Sequence, residues 1–517
     1  MKRSSSPRRY HAPVWSEPLI MEMGARGRRG QHAPLAEDAV RATGTVASFV
    51  APQMRRKALP ALPEMSEPDV LHHYLRLSQQ TMGMFGVSLF GTCTMKYNPR
   101  AGEALASRPY VAELHPDQPV ESLQGVLAAL DRMNEILRRL SGMDQFVFQA
   151  AGGADAAYLF ACLARGWHGA RGELGVRDEI ITSIQSHPCN PATAAAAGFK
   201  VVTLPLGPRG YPELDALKAA VSKRTAALMI NNPDDMGIYN PEIAEWVRVV
   251  HDAGALAFYD HANFNGVMGK IRARDLGFDA CMFMLHKTFG VSKGGGGPAV
   301  GAFGCAAALA DYLPGPVVER KNNAYGLKPE SPASIGRVRE HFGNVQQVVK
   351  ALYWARAMGE EGIQEASDMS VLLNNYMEKK LLEIRGVTRS HPGIDGWRLE
   401  MTRYSLGRLY EETGVSAIDV QNRLTDFGID AFWLSHEPWI VPHPFTPEAG
   451  EMWSREDIDA WIAALAHVCA EAYADPDLVK SAPHNQAIAK LDGSRLDDPA
   501  FWATTWRAYR RKHPDGF

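Results

Sequence analysis

The sequence predicts an α/β protein with a mostly parallel sheet, helices on both faces of that sheet and a small C-terminal α+β domain. From about residue 145 to about 305, short apolar runs alternate with helical stretches, which is typical of a parallel sheet covered on both faces. The length of 517 residues also exceeds what one small hydrophobic core organises. The predicted strands are 146–149, 178–184, 201–206, 226–232, 255–260 and 281–286.

The helices are predicted from apolar residues that recur at three- and four-residue spacing. The clearest case is 124–140, whose apolar positions include Leu130 and Leu137. This periodicity predicts an amphipathic helix. The other predicted helical segments are 157–167, 192–197, 213–221, 241–253 and roughly 335–382.

Composition divides the chain into four predicted parts. Residues 1–65 are rich in proline, arginine and glycine and show no sustained periodicity, which predicts an extended N-terminal arm. A large α/β domain is expected over 66–330. A helical connection and the small C-terminal domain are expected over 331–480, and a C-terminal tail over 481–517.

Charge and composition argue against several classes of partner. The formal net charge is −3 and 22% of the residues are charged, so neither nucleic acid nor a membrane is an expected partner. No apolar run approaches the roughly 20 residues of a membrane-spanning helix. The six cysteines form no CxxC pair, which argues against a disulfide scaffold or a structural zinc site, and no metal is expected. These features favour the cytoplasm.

The N-terminal segment MKRSSSPRRYHAPVW is basic and rich in serine, but it lacks the apolar core of a secretory signal. Its composition is compatible with a transit peptide. A disordered basic arm is the simpler interpretation, and we expect that one.

Three polar features follow predicted strands, at the edge where ligands bind in doubly wound sheets. Asp260 ends one strand, and Lys287 directly follows another. Gly152, Gly153 and Ala154 lie between the first strand and a helix. A lysine can carry a carbonyl cofactor as a Schiff base, a buried carboxylate keeps a pyridine nitrogen protonated, and backbone N–H groups at a helix N-terminus bind phosphate. Together these features predict pyridoxal 5′-phosphate.

Each feature also has an ordinary structural explanation. A lysine after an apolar strand is commonly a solvated strand end, and an aspartate there is commonly a helix cap. His286, beside Lys287, is either a proton shuttle or a packed strand-end histidine. The coincidence of the three features is what favours the cofactor.

Longer motifs point to one known family. Residues 91–99 read GTCTMKYNP and are similar to the GSCTMKYNP signature of the glycine dehydrogenase (decarboxylating) P-protein family, in particular its subunit 2. Residues 285–301, LHKTFGVSKGGGGPAVG, resemble that family's LHKTFSTPHGGGGPGAG. Further similar segments, covering most of the chain, are 17–30, 148–155, 186–200, 231–237, 259–270 and 482–492.

The resemblance implies a fold-type I pyridoxal-phosphate enzyme whose cofactor-binding domain is 66–330. Lys287 would hold the cofactor, and Asp260 would pair with its pyridinium nitrogen. The other residues expected to bind the cofactor are Gly152, Gly153, Ala154, His187, Asn190, Asn232 and Ala262. The candidate catalytic residues are Lys287, His286 and His187.

The activity implied by the resemblance is decarboxylation of glycine, with transfer of the remaining aminomethyl group to the lipoyl arm of H-protein. In the split form of this enzyme, subunit 2 works with subunit 1 in a heterotetramer, so an oligomer is expected. The chemistry also calls for a cation near the substrate carboxylate. The candidates are Arg26, Arg28, Arg29 and Lys96, with surface or subunit-interface charge as the alternative role.

The sequence departs from the family pattern at two places. Near the cofactor, Asp155 stands where the family has histidine, and Ala157 where it has glutamate. Pro188 and Cys189 replace glycine and threonine. Over 398–454 the framework positions persist, but the polar signature residues are exchanged.

These departures leave three interpretations. The first is drift within a genuine glycine dehydrogenase subunit 2. The second is a paralogue that acts as a pyridoxal-phosphate lyase, aldolase or decarboxylase on another amino acid. The third is a non-catalytic scaffold subunit, against which the intact Lys287, Asp260 and glycine-rich loop argue.

Overall fold

The computed structural model describes most of the chain, and the described residues fall into two compact units. The larger unit comprises the described residues of 87–421 and 431–480 together with Pro7, and the smaller comprises those of 8–86, 422–430 and 481–517. The described residues are 7, 9–28, 30, 37–58, 62–80, 89, 98–291, 299–339, 341–429, 432–491, 493–495, 498, 502–503 and 505–514. Residues 91–97 of the signature at 91–99, including Lys96, therefore lie outside this part of the chain, as do Arg29 and the glycine-rich 292–298.

A seven-stranded sheet in the order β1-β7-β6-β5-β4-β2-β3 forms the centre of the larger unit. Neighbouring strands among β2 to β6 are parallel, whereas β7 is antiparallel to both β1 and β6. The strands are β1 (Gln145–Ala150), β2 (Glu179–Ser183), β3 (Lys200–Leu204), β4 (Thr225–Asn231), β5 (Leu256–His261), β6 (Ala280–Met284) and β7 (Gly301–Cys305).

Five short strands form two further sheets. The hairpin pairs β8 with β9, and a small C-terminal sheet has the order β10-β11-β12. These strands are β8 (Val317–Lys321), β9 (Ala324–Lys328), β10 (Thr388–Arg389), β11 (Tyr404–Ser405) and β12 (Pro444–Phe445). The mostly parallel sheet that the sequence predicts is confirmed, but the prediction omitted β7 and the hairpin.

Helices cover both faces of the large sheet and form much of the C-terminal region. In chain order they are α1 (Asp38–Ala42), α2 (Glu67–Gln79), α3 (Arg100–Ala106), α4 (Pro109–Ala112), α5 (Gln124–Ser141), α6 (Gly153–Gly169), α7 (Cys189–Ala196), α8 (Leu214–Ala220), α9 (Ile243–Asp252), α10 (Val345–Leu381), α11 (Gly407–Thr413), α12 (Ala417–Thr425), α13 (Arg455–Ala474), α14 (Pro476–Lys480) and α15 (Trp506–Lys512). The predicted helix at 124–140 corresponds to α5, and its apolar face is buried. Helix α10 is interrupted at Gly359, where φ is +68°.

Strand β4 shows how the sequence builds a core on each face of the sheet. Every residue of this strand is buried, and successive side chains point to opposite faces. Leu228 and Ile230 pack into the cluster that includes the apolar face of α5, whereas Ala227 and Met229 pack into the cluster that includes α6. A strand buried on both faces therefore needs a continuous apolar run rather than an alternating one.

In the smaller unit, helix α2 begins with a reciprocal cap in which Ser66 and Asp69 bond to each other's backbone N–H groups. Glu17 accepts hydrogen bonds from Arg76 and pairs with His73. Over the residues described, no helix has both the length and the apolar composition needed to cross a bilayer. The same residues contain no group of three or more metal-ligating side chains.

Candidate active site

The candidate site lies at the carboxyl edge of the large sheet, where β4, β5 and β6 end side by side. In the strand register, Asn231 is opposite Asp260, and Asp260 is opposite Met282. Lys287 follows three residues after the end of β6. Parallel pairing therefore brings residues far apart in sequence to one edge, which is where ligands bind in this class of sheet.

Asp260 is a buried carboxylate held by two donors. The Asn190 side-chain amide donates to Oδ2 at 3.1 Å, and the Ala262 backbone N–H donates to Oδ1 at 2.9 Å. Burial raises the pKa of Asp260 to about 6, and the positive charge of Lys287 acts in the opposite direction. The predicted residues Asp260, Asn190, Ala262 and Lys287 are thus brought together, with Asp260 as their common partner.

Lys287 is 5% exposed, so it is not a solvated strand end. Its backbone N–H donates to the Met284 carbonyl oxygen at 3.0 Å, which makes a tight turn directly after β6. The lysine charge opposes the rise that burial causes in the pKa of Asp260. It also acts to lower the pKa of the Cys189 thiol and of the His436 ring. The ammonium group therefore lies among side chains contributed by β5, α7 and the C-terminal region.

His286 is buried beside Lys287. Its Nδ1 donates to the Val300 carbonyl oxygen at 3.2 Å. This bond holds the ring against the segment that leads into β7. The geometry supports a packed strand-end histidine, and the proton-shuttle role stays a prediction.

The N-terminus of α6 is the predicted phosphate site. A Cβ atom on Gly153 would lie 1.7 Å from the Met284 methyl carbon, and one on Gly301 would lie 2.6 Å from the Gly152 carbonyl oxygen, so the strand ends and α6 approach closely here. Gly152 itself has open space where a side chain would be. The first backbone N–H groups of a helix of this length are suited to an anion.

Asp155, one of the departures from the family pattern, lies in the first turn of α6. Its carboxylate accepts from the Ala151 backbone N–H at 3.1 Å and pairs with Arg339 at 2.7 Å. Arg339 therefore offsets a negative charge that would otherwise oppose phosphate binding at this helix end.

His187 precedes α7 and is partly buried. The backbone N–H of Cys189 donates to His187 Nδ1 at 3.1 Å, so the proton of a neutral ring sits on Nε2. The ring meets that of His436 edge to face, with 4.5 Å between centroids. Asn190, in the first turn of α7, carries the bond to Asp260 described above.

Asn232 has a different environment from the one expected. Its side chain donates to the Asn240 carbonyl oxygen at 3.1 Å and accepts from the Asn240 backbone N–H at 2.8 Å. Both polar atoms of the amide therefore close the loop after β4. A role for Asn232 beside the cofactor stays a prediction.

Asp235, from the same loop, is buried at the site, and the sequence analysis did not select it as a functional residue. Its Oδ1 accepts from the side chains of Asn263 at 3.0 Å and Asn231 at 3.4 Å. Its Oδ2 lies 4.0 Å from Nε2 of His436. The two amides fix the carboxylate so that Oδ2 faces the C-terminal region.

Sequence reasoning also missed Arg403 and His436, both of which lie in the divergent stretch 398–454. Arg403 is 2% exposed, and its charge, like that of Lys287, lowers the pKa of His436. The sequence around Arg403, LEMTRYSL, mixes polar and apolar residues and gives no clear signal. Among the four cations that were predicted, Arg28 pairs with Asp69 in the smaller unit.

Comparison with known proteins identifies the family of the chain. The Aminotransferase class-V family model matches residues 145–296. A protein of Pyrococcus furiosus described as a probable glycine dehydrogenase (decarboxylating) subunit 2 is 40% identical over 98% of this chain and 99% of its own length. A protein of Thermococcus onnurineus with the same description is 41% identical, with the same coverage of both chains.

A solved structure has a similar fold. The crystal structure of glycine decarboxylase (P-protein) of the glycine cleavage system, in inhibitor-bound form, superimposes with a TM-score of 0.70 and 20% identity. It covers 85% of this chain and 100% of that chain. The predicted fold-type I class and the predicted pyridoxal-phosphate cofactor are confirmed. Full-length relatives at this level of identity establish the family, and the chain belongs to the glycine dehydrogenase (decarboxylating) subunit 2 family.

Proposed function

We propose that the chain carries pyridoxal phosphate on Lys287 and decarboxylates glycine, passing the aminomethyl group to the lipoyl arm of H-protein. The observation that carries this proposal is the buried Asp260 in the field of Lys287 at the carboxyl edge of the sheet. The partner implied by the description of the relatives is a subunit 1. We therefore place the active form in an oligomer with that subunit.

The residues present fit the cofactor. When bound, pyridoxal phosphate supplies an electron sink, and this sink requires a protonated ring nitrogen. Asp260, once ionised, would hold that proton, and Asn190 fixes the orientation of the carboxylate. Lys287 Nζ would carry the cofactor covalently, and the first backbone N–H groups of α6 would bind its phosphate.

The side chains around Lys287 also limit access of water. Asp260, Asn190 and Lys287 are each at most 5% exposed. A site of this kind strengthens the attraction between the pyridinium and the carboxylate, because water screens the pair less. His187, with its neutral ring held by Cys189, would line the wall of the pocket.

The test measures carbon dioxide released from glycine labelled in its carboxyl group, with subunit 1 and lipoylated H-protein present. Lys287→Ala should abolish release. Lys270→Ala is the matched control, because Lys270 is an exposed lysine that pairs with Asp368 outside the site. Release by the Lys287 variant would overturn the proposal.

A second candidate is a pyridoxal-phosphate lyase, aldolase or decarboxylase that acts on another amino acid. The observation that favours it is the charge at two points of the site: Asp155 pairs with Arg339, and the buried Arg403 acts on the same His436 ring as Lys287. The same protein is then given other amino acids. Absence of carbon dioxide release from glycine, together with turnover of a different amino acid, would select this candidate.

A further inference from the structure

Three side chains from separate parts of the fold form a row at the candidate site, and the proposed function uses only one of them. Asp235 lies in the loop after β4, His436 in the C-terminal region, and His187 just before α7. Asp235 Oδ2 is 4.0 Å from His436 Nε2. The rings of His436 and His187 are 4.5 Å apart between centroids, at an interplanar angle of 77°. The row therefore ends on the ring that would line the cofactor pocket.

The carboxylate of Asp235 is buried, and its direction is fixed. Its residue is 4% exposed. The side-chain amides of Asn263 and Asn231 donate to Oδ1 at 3.0 Å and 3.4 Å. Because both of these bonds go to one oxygen, the lone pairs of Oδ2 are left to face His436. Asp235 thus presents a fixed negative charge to one nitrogen of that ring.

The C-terminal region holds the ring of His436 from another side. The Trp433 ring meets it edge to face, with 4.9 Å between centroids and 68° between planes. The Trp433 carbonyl oxygen accepts from the Thr446 backbone N–H at 2.7 Å, which ties this loop to the residue after β12. Two ring contacts and one facing carboxylate therefore define the position of the imidazole.

Nearby charges decide the protonation of His436. Burial lowers its pKa, Asp235 raises it, and Arg403 and Lys287 lower it, so the ring is neutral at pH 7. The 4.0 Å between Asp235 Oδ2 and Nε2 is longer than a hydrogen bond, so the carboxylate acts on the ring through its charge. That charge favours the tautomer with its proton on Nε2, because this N–H dipole then points to the carboxylate.

His187 receives two of its contacts from different elements. The Cys189 backbone N–H donates to Nδ1 and sets the tautomer. The ring of His436 packs against the imidazole and restricts its tilt. An edge-to-face ring pair stabilises one arrangement by about 2- to 10-fold in an equilibrium constant. Loss of the His436 ring should therefore let the His187 ring turn away from its place.

We propose that Asp235 and His436 are positioning residues that hold the His187 ring in the wall of the cofactor pocket. Asp235 orients His436, and His436 packs against His187. The inference rests on the proposed function, because it takes the cofactor as the group that His187 faces. His436 belongs to the divergent stretch 398–454, so the pair gives that stretch a part in shaping the site.

The first experiment measures how fast diethyl pyrocarbonate modifies His187 in the cofactor-free, full-length protein, by peptide mass spectrometry. His436→Ala removes the supporting ring and should speed this modification by about 2- to 10-fold. His436→Phe keeps a ring in that place, so it should return the rate to within about 2-fold of the wild type.

Two other histidines report on folding in the same digest. His168 is 0% exposed, so its modification signals unfolding. His72 is exposed on α2, and its rate serves as the reference. Faster modification of His187 is attributed to the lost ring only where His168 stays unmodified and His72 keeps its rate. If His168 reacts in His436→Ala, the milder Asp235→Asn decides instead.

Asp235→Asn keeps an oxygen for the two amides but removes the charge that faces His436. It should speed modification of His187 by about 2- to 5-fold, the effect of losing one weak electrostatic contact. Asp117→Asn is the matched control, because Asp117 is 70% exposed and faces another histidine, His341, at 3.5 Å. It should leave the His187 rate unchanged.

The second experiment records the circular dichroism of the visible cofactor band in the loaded protein, which depends on the asymmetric surroundings of the cofactor. His436→Ala should lose part of this dichroism at unchanged absorbance. His436→Phe should keep it, because a ring still supports His187.

The outcomes distinguish this inference from the proposed function. If the wild-type protein shows no cofactor absorbance, both fail. If it holds the cofactor but His187 reacts equally fast in the wild type and in the folded variants, or the dichroism of His436→Ala is unchanged, the inference alone fails. Faster modification of His187 with weaker dichroism, both reversed in His436→Phe, supports it.

Discussion

Asp260 is the residue on which the proposed chemistry depends, and the direction of its pKa shift depends on whether a cation faces its carboxylate. In the cofactor-free protein, burial raises its pKa to about 6. A pyridinium nitrogen would instead favour the ionised form. The alternative role predicted for Asp260 is a local helix cap. One carboxylate oxygen does accept from the nearby Ala262 backbone N–H, but the other accepts from Asn190, which belongs to a different element.

This environment predicts how the stability of the cofactor-free protein depends on pH. Because the pKa of Asp260 is higher in the folded state than in the unfolded state, the unfolded chain releases this proton first as pH rises. The stability that Asp260 contributes is therefore lost between about pH 4 and about pH 6, by roughly 3 kcal/mol. Urea unfolding of the wild type and of Asp260→Asn at several pH values measures it.

Asp260→Asn serves as the reference for the wild type, since asparagine does not titrate. The difference in unfolding free energy between the two proteins should shift in favour of Asp260→Asn as pH rises, and it should level off above about pH 7. A difference that stays constant from pH 4 to 7 would contradict the buried, uncompensated state of Asp260. Saturating the wild type with the cofactor should remove the shift.

The candidate site was predictable from sequence where a residue lies at the end of an apolar run. Asp260 and Lys287 each end an apolar run, and strand pairing then places them together. Arg403 and His436 were not predictable in this way. They reach the site through two short strands and a loop of the C-terminal region, and such short strands carry little periodicity.

At the scale of elements, the loop after β4 shows how closely the C-terminal region packs on the large sheet. The Gly237 carbonyl oxygen accepts from the Leu399 backbone N–H at 3.0 Å. A Cβ atom on Gly237 would lie 1.8 Å from the Met401 carbonyl oxygen, and its φ is +73°. Only glycine fits here, because both the space and the backbone conformation exclude a side chain.

Gly237→Ala is therefore expected to destabilise the protein by about 3 kcal/mol or more, from backbone strain and steric overlap together. Gly336→Ala is the matched control. Its φ is +79°, but nothing lies within 4 Å of the added Cβ, so strain alone should cost roughly 1 kcal/mol. Chemical unfolding measures both, and equal losses would contradict the close approach of the loop to Met401.

The elements that sequence analysis missed have weak local signals. Strand β7 reads GAFGC, and its two glycines lower its strand propensity although it pairs with a strand on each side, β1 and β6. Gly304 has a packing reason, since a Cβ there would lie 2.3 Å from the ring of Phe146 in β1. The apolar runs of β4 and β5 were predictable because both strands are buried throughout.

At the scale of the whole molecule, the smaller unit joins segments from both ends of the chain, and Asp426 is at their junction. Its buried carboxylate accepts from the backbone N–H groups of His484 and Asn485 and pairs with Arg423 at 2.7 Å. Its backbone carbonyl oxygen accepts from the Tyr10 N–H at 2.9 Å. One residue thus binds the N-terminal arm and the C-terminal tail.

Asp426→Ala should loosen this junction by about 3–5 kcal/mol, because it removes the buried carboxylate that pairs with Arg423 and accepts from two backbone N–H groups. We expect limited proteolysis to cleave the tail and the arm faster than in the wild type, while the larger unit stays intact. Asp38→Ala, at an exposed position, is the control. Unchanged cleavage at both ends would contradict the role of Asp426.

The central claim is that Lys287 carries pyridoxal phosphate, and reductive trapping tests it most directly. The cofactor-loaded protein is reduced with borohydride, digested and examined by peptide mass spectrometry. We predict a phosphopyridoxyl group on the peptide that contains Lys287 and none on that peptide after Lys287→Ala. A group found on another lysine of the wild type, or on none, would contradict the account.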